Sequence, residues 1–219
     1  MSNSTNPRVV RKHTPQKVFR KTQFREAWDF LALDFENRCA YSMQHTQLAG
    51  GKKCMEVDHF NPHKKQNKIQ EYENLFLATR HCNGAKRDRW PSNKHRKLGV
   101  RFLNCCEELD YGLHIFEDPD THEVVGVTPA GKYHVRNCDL NADHLVKERA
   151  DRAKIWGILE SIPVRLNKGW SLPPQASALK DIVTRMIPKI AYLSGKDLEQ
   201  YRAQQLSSAK LLTNGSALP

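Results

Sequence analysis

Residues 54 to 91 read CMEVDHFNPHKKQNKIQEYENLFLATRHCNGAKRDRWP, and most of the chain's chemistry lies inside them. Cys54 to Phe60 reads as a strand that ends before Pro62, which has no N–H to give a ladder. A polar loop from His63 to Glu71 follows. Leu75 to Thr79 is a second short apolar run, so the two runs pair as a hairpin with a long connection. After Cys82, the residues Ala85, Lys86 and Arg87 favour a helix that Pro91 stops. Strand, strand and short helix form the smallest unit.

Four polar residues stand out on that unit. Asp58 and His59 are neighbours on the first strand, so their side chains point to opposite faces and suit different tasks. A hard divalent cation takes oxygen ligands and keeps several waters; Asp58 offers a charged oxygen and the Asn83 amide a neutral one. His59 titrates near neutrality when unperturbed and can take a proton from water attacking phosphorus. Asn74 then fixes the imidazole or the hairpin geometry. The intervals are 15 residues from His59 to Asn74 and 9 from Asn74 to Asn83.

These residues resemble the HNH, or ββα-metal, endonucleases. The resemblance rests on DH-x-x-P at Asp58 to Pro62, on Asn74-Leu75, and on Cys82-Asn83-x-x-Lys86, and it spans Cys39 to Trp90. It implies His59 as general base, Asn74 as orienting residue, and Asp58 and Asn83 as ligands of Mg²⁺ or Mn²⁺. The last motif position is Asn83, where the family name has His. Many such domains bracket the hairpin with two Cys-x-x-Cys knuckles; here the corresponding places read Cys39-Ala-Tyr-Ser42 and Thr79-Arg-His-Cys82. Half the sulfur ligands that a tetrahedral zinc needs are missing, so no structural zinc is expected and Cys39 and Cys82 read as small buried groups.

Charge carries the strongest global signal. Thirty-five Lys and Arg against 24 Asp and Glu give a net +11, which points to a polyanion partner. The excess is clustered. Residues 1 to 25 hold seven cations and no acid, and residues 80 to 97 hold seven more against Asp88 alone. The second cluster overlaps the polar residues above, so Arg80, Lys86, Arg87 and Arg89 are the expected phosphate contacts. No apolar run is long enough to span a bilayer and no signal-peptide core is visible, so the expected place is the cytoplasm, with no membrane partner. Six irregularly placed cysteines then read as reduced thiols.

Elsewhere the chain divides into four parts: a basic N-terminal arm over 1–21, the nuclease core over 22–99, a β hairpin region over 100–138 and a helical region over 139–219. Residues 1 to 15 read as a mobile arm. Phe24, Ala27, Trp28, Leu31 and Phe35 recur at helical spacing, giving a helix capped by Thr22 and running to about Asn37, with Trp28 in the core. Gly112 to Phe116 and Glu123 to Val127 read as strands around Asp118-Pro119-Asp120, with Tyr133-His-Val as a third. His114, His122 and His134, expected on these strands, are left out of the site. Asn141 is the expected cap of a helix to about Leu159, and two more helices are expected at 177–187 and 196–212. The fold class is α+β: a ββα-metal core with flanking helices, a small β hairpin region and a helical C-terminal part.

The expected activity is hydrolysis of phosphodiester bonds in nucleic acid, DNA being favoured and RNA such as tRNA being compatible with the same chemistry. Asp110-Tyr-Gly-Leu-His, Pro129-Ala-Gly-Lys-Tyr-His and Asp139-Leu-Asn, followed by a helix with Arg149, are similar to PtuB-type HNH nucleases of bacterial anti-phage systems. That resemblance implies a defence role beside an ATPase partner. The alternative is a nucleic-acid-binding module that kept the ββα shape and lost catalysis. Intact Asp58, His59, Asn74 and Asn83 argue against it, because binding alone needs only the cations.

Overall fold

The structure, a computed structural model, describes residues 9–13, 15, 18–107 and 111–154. The two C-terminal helices, the last residues of the helix expected to reach Leu159, the first eight residues of the arm and Asp110 lie outside them. The chain divides into two units, one made of residues up to Asp118 with Glu123–Ala142, the other of Pro119–His122 with the residues from Asp143 onward.

The first unit is built on a strand pair. It begins with β1 (Phe19–Arg20) and α1 (Trp28–Asp34), then runs through β2 (Met55–His59), β3 (Ile69–Gln70), β4 (Leu75–Thr79) and α2 (Arg80–Lys86). β2 and β4 pair antiparallel, with Val57 opposite Leu77 and His59 opposite Leu75. All five residues of β4 are buried, which is why this short run carries no polar alternation. Thr79 ends the strand and caps α2, its hydroxyl accepting from Cys82 N at 3.3 Å. α2 therefore starts at Arg80, ahead of the expected position. Tyr41, Phe35, Leu31 and Phe76 are all but fully buried around the pair, with the Phe35 and Phe76 rings 5.5 Å apart.

Three expectations about this unit are corrected. The helix expected from Thr22 to Asn37 is shorter: a 3-10 turn over Phe24–Ala27 leads into α1, Thr22 is exposed, and the turn's cap position is Gln23. Trp28 is half-buried, with the Lys52 ammonium 3.9 Å over its ring. The loop expected from His63 to Glu71 contains a 3-10 turn, Pro62–Gln66, and the short strand β3, which pairs antiparallel with β1.

The arm also differs from expectation. Val9 is buried and its N–H donates to the Cys105 carbonyl at 3.0 Å. Arg11 lies about 5 Å from the Phe35, Tyr72 and Phe76 rings, and its guanidinium donates to the carbonyls of Tyr72, Glu73 and Leu75. The N–H groups of Lys12 and His13 both donate to Asp34 Oδ1, at 2.9 and 3.1 Å. Residues 9–13 are thus a strap over the core, and Arg11 is spent on protein carbonyls.

Beyond α2 come α3 (Asn93–Lys97), capped by Ser92, then α4 (Tyr111–His114), β5 (Ile115–Glu117), β6 (Val124–Gly126) and α5 (Pro129–Asn137). The β5–β6 hairpin forms, but it starts at Ile115 because Gly112–His114 of the expected strand belong to α4, and Tyr133-His-Val is helical, inside α5. Thr128 caps that helix through Gly131 N and Pro129 opens it, two start signals that outweigh the β-forming Tyr133 and Val135. A Cβ at Gly131 would sit 2.0 Å from the His114 carbonyl oxygen, so only glycine lets α5 approach the hairpin backbone this closely. His134 is fully buried, its Nδ1 accepting from Leu103 N at 3.1 Å. The helix expected behind Asn141 starts at residue 143, and the Asn141 amide both accepts from and donates to the Val124 backbone. In the second unit, helix α6 (143–154) carries Arg149, whose Nε donates to the His122 carbonyl at 2.6 Å. No helix of the described residues is long and apolar enough to cross a membrane.

Asp34 joins strap to core, because its buried carboxylate also accepts from Tyr72 OH at 2.8 Å and contacts His13 Nδ1 at 2.5 Å. Burial alone would raise its pKa; the hydrogen bonds from His13, Tyr72 and Lys12 N overcome this and hold it below 3.8. A lowered folded-state pKa stabilises above the unfolded value and is lost as pH falls through the folded one. Asp34→Ala is expected to cost about 3 kcal/mol in urea unfolding at pH 7. The gap to wild type is expected to narrow as pH drops below 3.8.

Candidate active site

β2 and α2 face each other across two polar rungs. Glu56 and Asp58, two apart on the strand, share the face that meets the helix, and Asn83 and Lys86, three apart on the helix, share the face that meets the strand. Asn83 Nδ2 donates to Glu56 Oε2 at 2.7 Å; Lys86 Nζ lies 2.9 Å from Asp58 Oδ2. The second rung is buried, and its contacts converge on Asp58 Oδ2. Lys86 is fully buried and also donates to the His59 carbonyl at 2.9 Å, while Tyr41 OH donates to Asp58 Oδ2 at 2.5 Å. Burial and the Asp58 charge push the Tyr41 pKa well above 10, so it remains a donor.

His59 occupies the opposite side of the strand, as neighbours on a strand should. Its ring lies 4.6 Å from that of Phe24, and its Nε2 is 2.7 Å from Gln70 Oε1. Burial outweighs the Gln70 hydrogen bond and the nearby Asp58 charge and lowers the His59 pKa from 6.5. The ring is therefore mostly neutral at pH 7, a weaker base than free imidazole but one that carries a lone pair.

Asn74 serves the hairpin and not the imidazole. Its Oδ1 accepts from Asn61 N at 2.8 Å, its Nδ2 donates to Asn61 O at 3.2 Å, and its own carbonyl accepts from Phe60 N. This pins the chain just after His59, at the position where β2 must end.

The expected phosphate contacts separate into two kinds. Arg87 and Arg89, just past α2, are exposed, and each donates to a carbonyl of that helix. Arg80 is exposed but turned toward Glu56 Oε1, at 3.2 Å, and the Lys53 carbonyl. Lys86 does not belong with them. Its ammonium is inside the protein, so it is a structural ion-pair partner; the reading as a surface cation fails because sequence spacing cannot tell a buried helix face from an exposed one.

The four knuckle positions also meet. Thr79 Oγ1 donates to Cys39 Sγ at 3.6 Å, and Cys39 and Cys82 are fully buried. Burial raises both thiols, and the hydrogen bond between them, with those from Ser42 and Thr79 to Cys39, lowers the Cys39 pKa while raising that of Cys82.

Residues 37–89 match the HNH endonuclease family. This HNH region contains β2, β4 and α2, and with them every residue placed at the site above except Phe24. Nothing matches the chain among curated proteins or among solved structures. An HNH nuclease acts on nucleic acid, and the family generally uses a divalent metal.

The donors at this face suit a hard cation. Among the described residues no three His, Cys, Asp or Glu side chains gather as a complete shell. A magnesium-like ion held by one or two carboxylates, an amide, water and phosphate needs no more. The Asn83 amide, whose nitrogen is committed to Glu56, has its oxygen left to offer, and both Asp58 contacts use Oδ2, leaving Oδ1. Glu56 and Gln70 escape sequence reading because neither stands in a motif. Two-residue alternation from Asp58 could have flagged Glu56.

The buried ion pair and the exposed arginines should separate cleanly by mutation. Lys86→Ala, which leaves the Asp58 charge buried and unpaired, is expected to lose about 3–5 kcal/mol of stability. Arg87→Ala and Arg89→Ala are expected to stay within about 0.5 kcal/mol of wild type while weakening nucleic-acid binding. Denaturant unfolding and filter binding on the same preparations check both.

Proposed function

We propose that the chain is a metal-dependent endonuclease that hydrolyses phosphodiester bonds in nucleic acid, DNA foremost, with His59 as general base. The observation that carries this is a neutral, buried imidazole and an oxygen-donor pair, Asp58 and Asn83, set on one strand–helix unit within the HNH region. His59 takes the proton of a water as it attacks phosphorus. Asn74 holds the backbone behind His59, so that the ring is not displaced when the substrate strand docks. A divalent cation at Asp58 and Asn83 would stabilise the charge on the phosphate and the leaving oxygen. Arg87 and Arg89 neutralise backbone phosphates beside the site.

The engagement of Asp58 Oδ2 by Lys86 and Tyr41 favours one rival, a binding module without catalysis. Incubating the protein with DNA and with RNA, each with and without Mg²⁺ or Mn²⁺, decides between them. Binding without cleavage under every condition supports the rival. His59→Ala is expected to lower single-turnover cleavage by about 10²- to 10⁴-fold with binding retained. Wild-type cleavage by a folded His59→Ala protein would remove His59 from the mechanism. The likeness of the Asp110, Pro129 and Asp139 stretches to PtuB-type nucleases supports a role in phage defence beside an ATPase. Phage plating with and without His59→Ala, in cells carrying the chain's own genomic neighbours, tests that role.

A further inference from the structure

We propose that Gln70 is a positioning residue that selects the tautomer of His59, so that Nδ1 is the nitrogen that receives the proton. The inference rests on the reading of His59 as general base for its catalytic meaning, but its structural content stands alone. Gln70 is 4% and His59 5% exposed, and the two side chains meet at 2.7 Å between Gln70 Oε1 and His59 Nε2.

The orientation of the Gln70 amide follows from its other contact. Its Nε2 donates to the Asn67 carbonyl, and a carbonyl can only accept. Turning the amide over would set two oxygens against each other at Asn67. Gln70 Oε1 therefore faces the imidazole, and an amide oxygen needs a hydrogen from it. His59 Nε2 carries that hydrogen, and in a neutral ring this leaves the lone pair on Nδ1.

Backbone structure places Gln70 for this task. β3 is held by β1, with Gln70 opposite Phe19, and Lys21 N donating to Lys68 O at 3.0 Å continues the pairing. Alternation along β3 turns Ile69 to solvent and Gln70 inward. Phe24, in the turn that follows β1, covers the His59 ring from the same side of the chain. A two-residue strand pair outside every motif thus sets the direction of the base.

The test uses the full-length, metal-free protein with ¹⁵N-labelled histidine at pH 8. Long-range ¹H–¹⁵N correlation spectra distinguish the two tautomers, and His59→Ala assigns the signals. The expected wild-type result is the Nε2–H form of His59. Gln70→Leu, close in volume but without an acceptor, is expected to give a mixture or the Nδ1–H form; Gln70→Glu, which keeps an acceptor oxygen, is expected to retain Nε2–H. In single-turnover cleavage, Gln70→Leu is expected to lower the saturating rate about 10- to 100-fold with half-saturation nearly unchanged, while Gln70→Glu, whose charge holds a proton on the imidazole, is expected to shift the pH–rate profile to higher pH. An Nδ1–H form in wild type overturns the proposal without any variant needing to fold. An unchanged tautomer in a folded Gln70→Leu protein overturns it equally. The spectra read the tautomer whether or not His59 is the base, so this result and the cleavage result for His59→Ala fail separately.

Discussion

The buried ammonium of Lys86 sets the terms for the rest of the HNH region. Removing an ammonium and a carboxylate from water costs several kcal/mol per ion, which the structure offsets only by surrounding them. Lys86 has the Asp58 carboxylate and the His59 carbonyl, and Asp58 has the Tyr41 hydroxyl as well. The Phe102 and Tyr41 rings lie within 6 Å of the ammonium and add a weaker attraction. Such a node tolerates little sliding, because a shift of α2 by one turn would leave two charges unpaired in the interior. Its consequence is register: with Lys86 on Asp58, Asn83 falls opposite Glu56.

The same need to satisfy buried polar groups governs the strap. Asp34 is buried on a helix whose other inward residues are Leu31 and Ala32, and it is matched by two backbone N–H groups, an imidazole and a phenol. Arg11 sits among three rings and three carbonyls. A polar, basic N-terminal segment looks like a solvated tail when composition alone is read. What holds it is the pairing of single residues far apart in sequence, Arg11 with Leu75 and Lys12 with Asp34, and no local pattern encodes such pairs. The charge excess therefore overstates the cations that face a polyanion, since Arg11 and Lys86 are already neutralised or enclosed.

How much could be read in advance follows from the range of each signal. β2, β4 and α2 are legible because apolar runs and helix formers act over a few residues, although α2 ends at Lys86, with Arg87 at φ 49°, well before Pro91. The roles of Asp58, His59, Asn74 and Asn83 came from a motif whose spacing reflects that same local unit. β1 and β3 were not legible, since two-residue strands have no period. Tyr133-His-Val was misread because β propensity was weighed and the Thr128-Pro129 start signal was not. The Asn141 amide pairs with the Val124 backbone 17 residues away, a contact that no helix-start signal encodes. Lys86 was misread for the opposite reason: a run of cations hides the one that points inward.

Asp58 and His59 stand close together, and the fold keeps their charges apart. Asp58 and His59 are adjacent in sequence, and were they to meet directly, the carboxylate would hold a proton on the imidazole and blunt it as a base. The strand turns them to opposite faces, and Lys86 and Tyr41 draw the Asp58 charge toward the helix. Burial beside Phe24, with Gln70 in place of a carboxylate as hydrogen-bond acceptor, then keeps His59 neutral without adding negative charge to its surroundings. Separation of the two residues is therefore enforced from both sides of β2, by an ion pair on one face and an uncharged amide on the other.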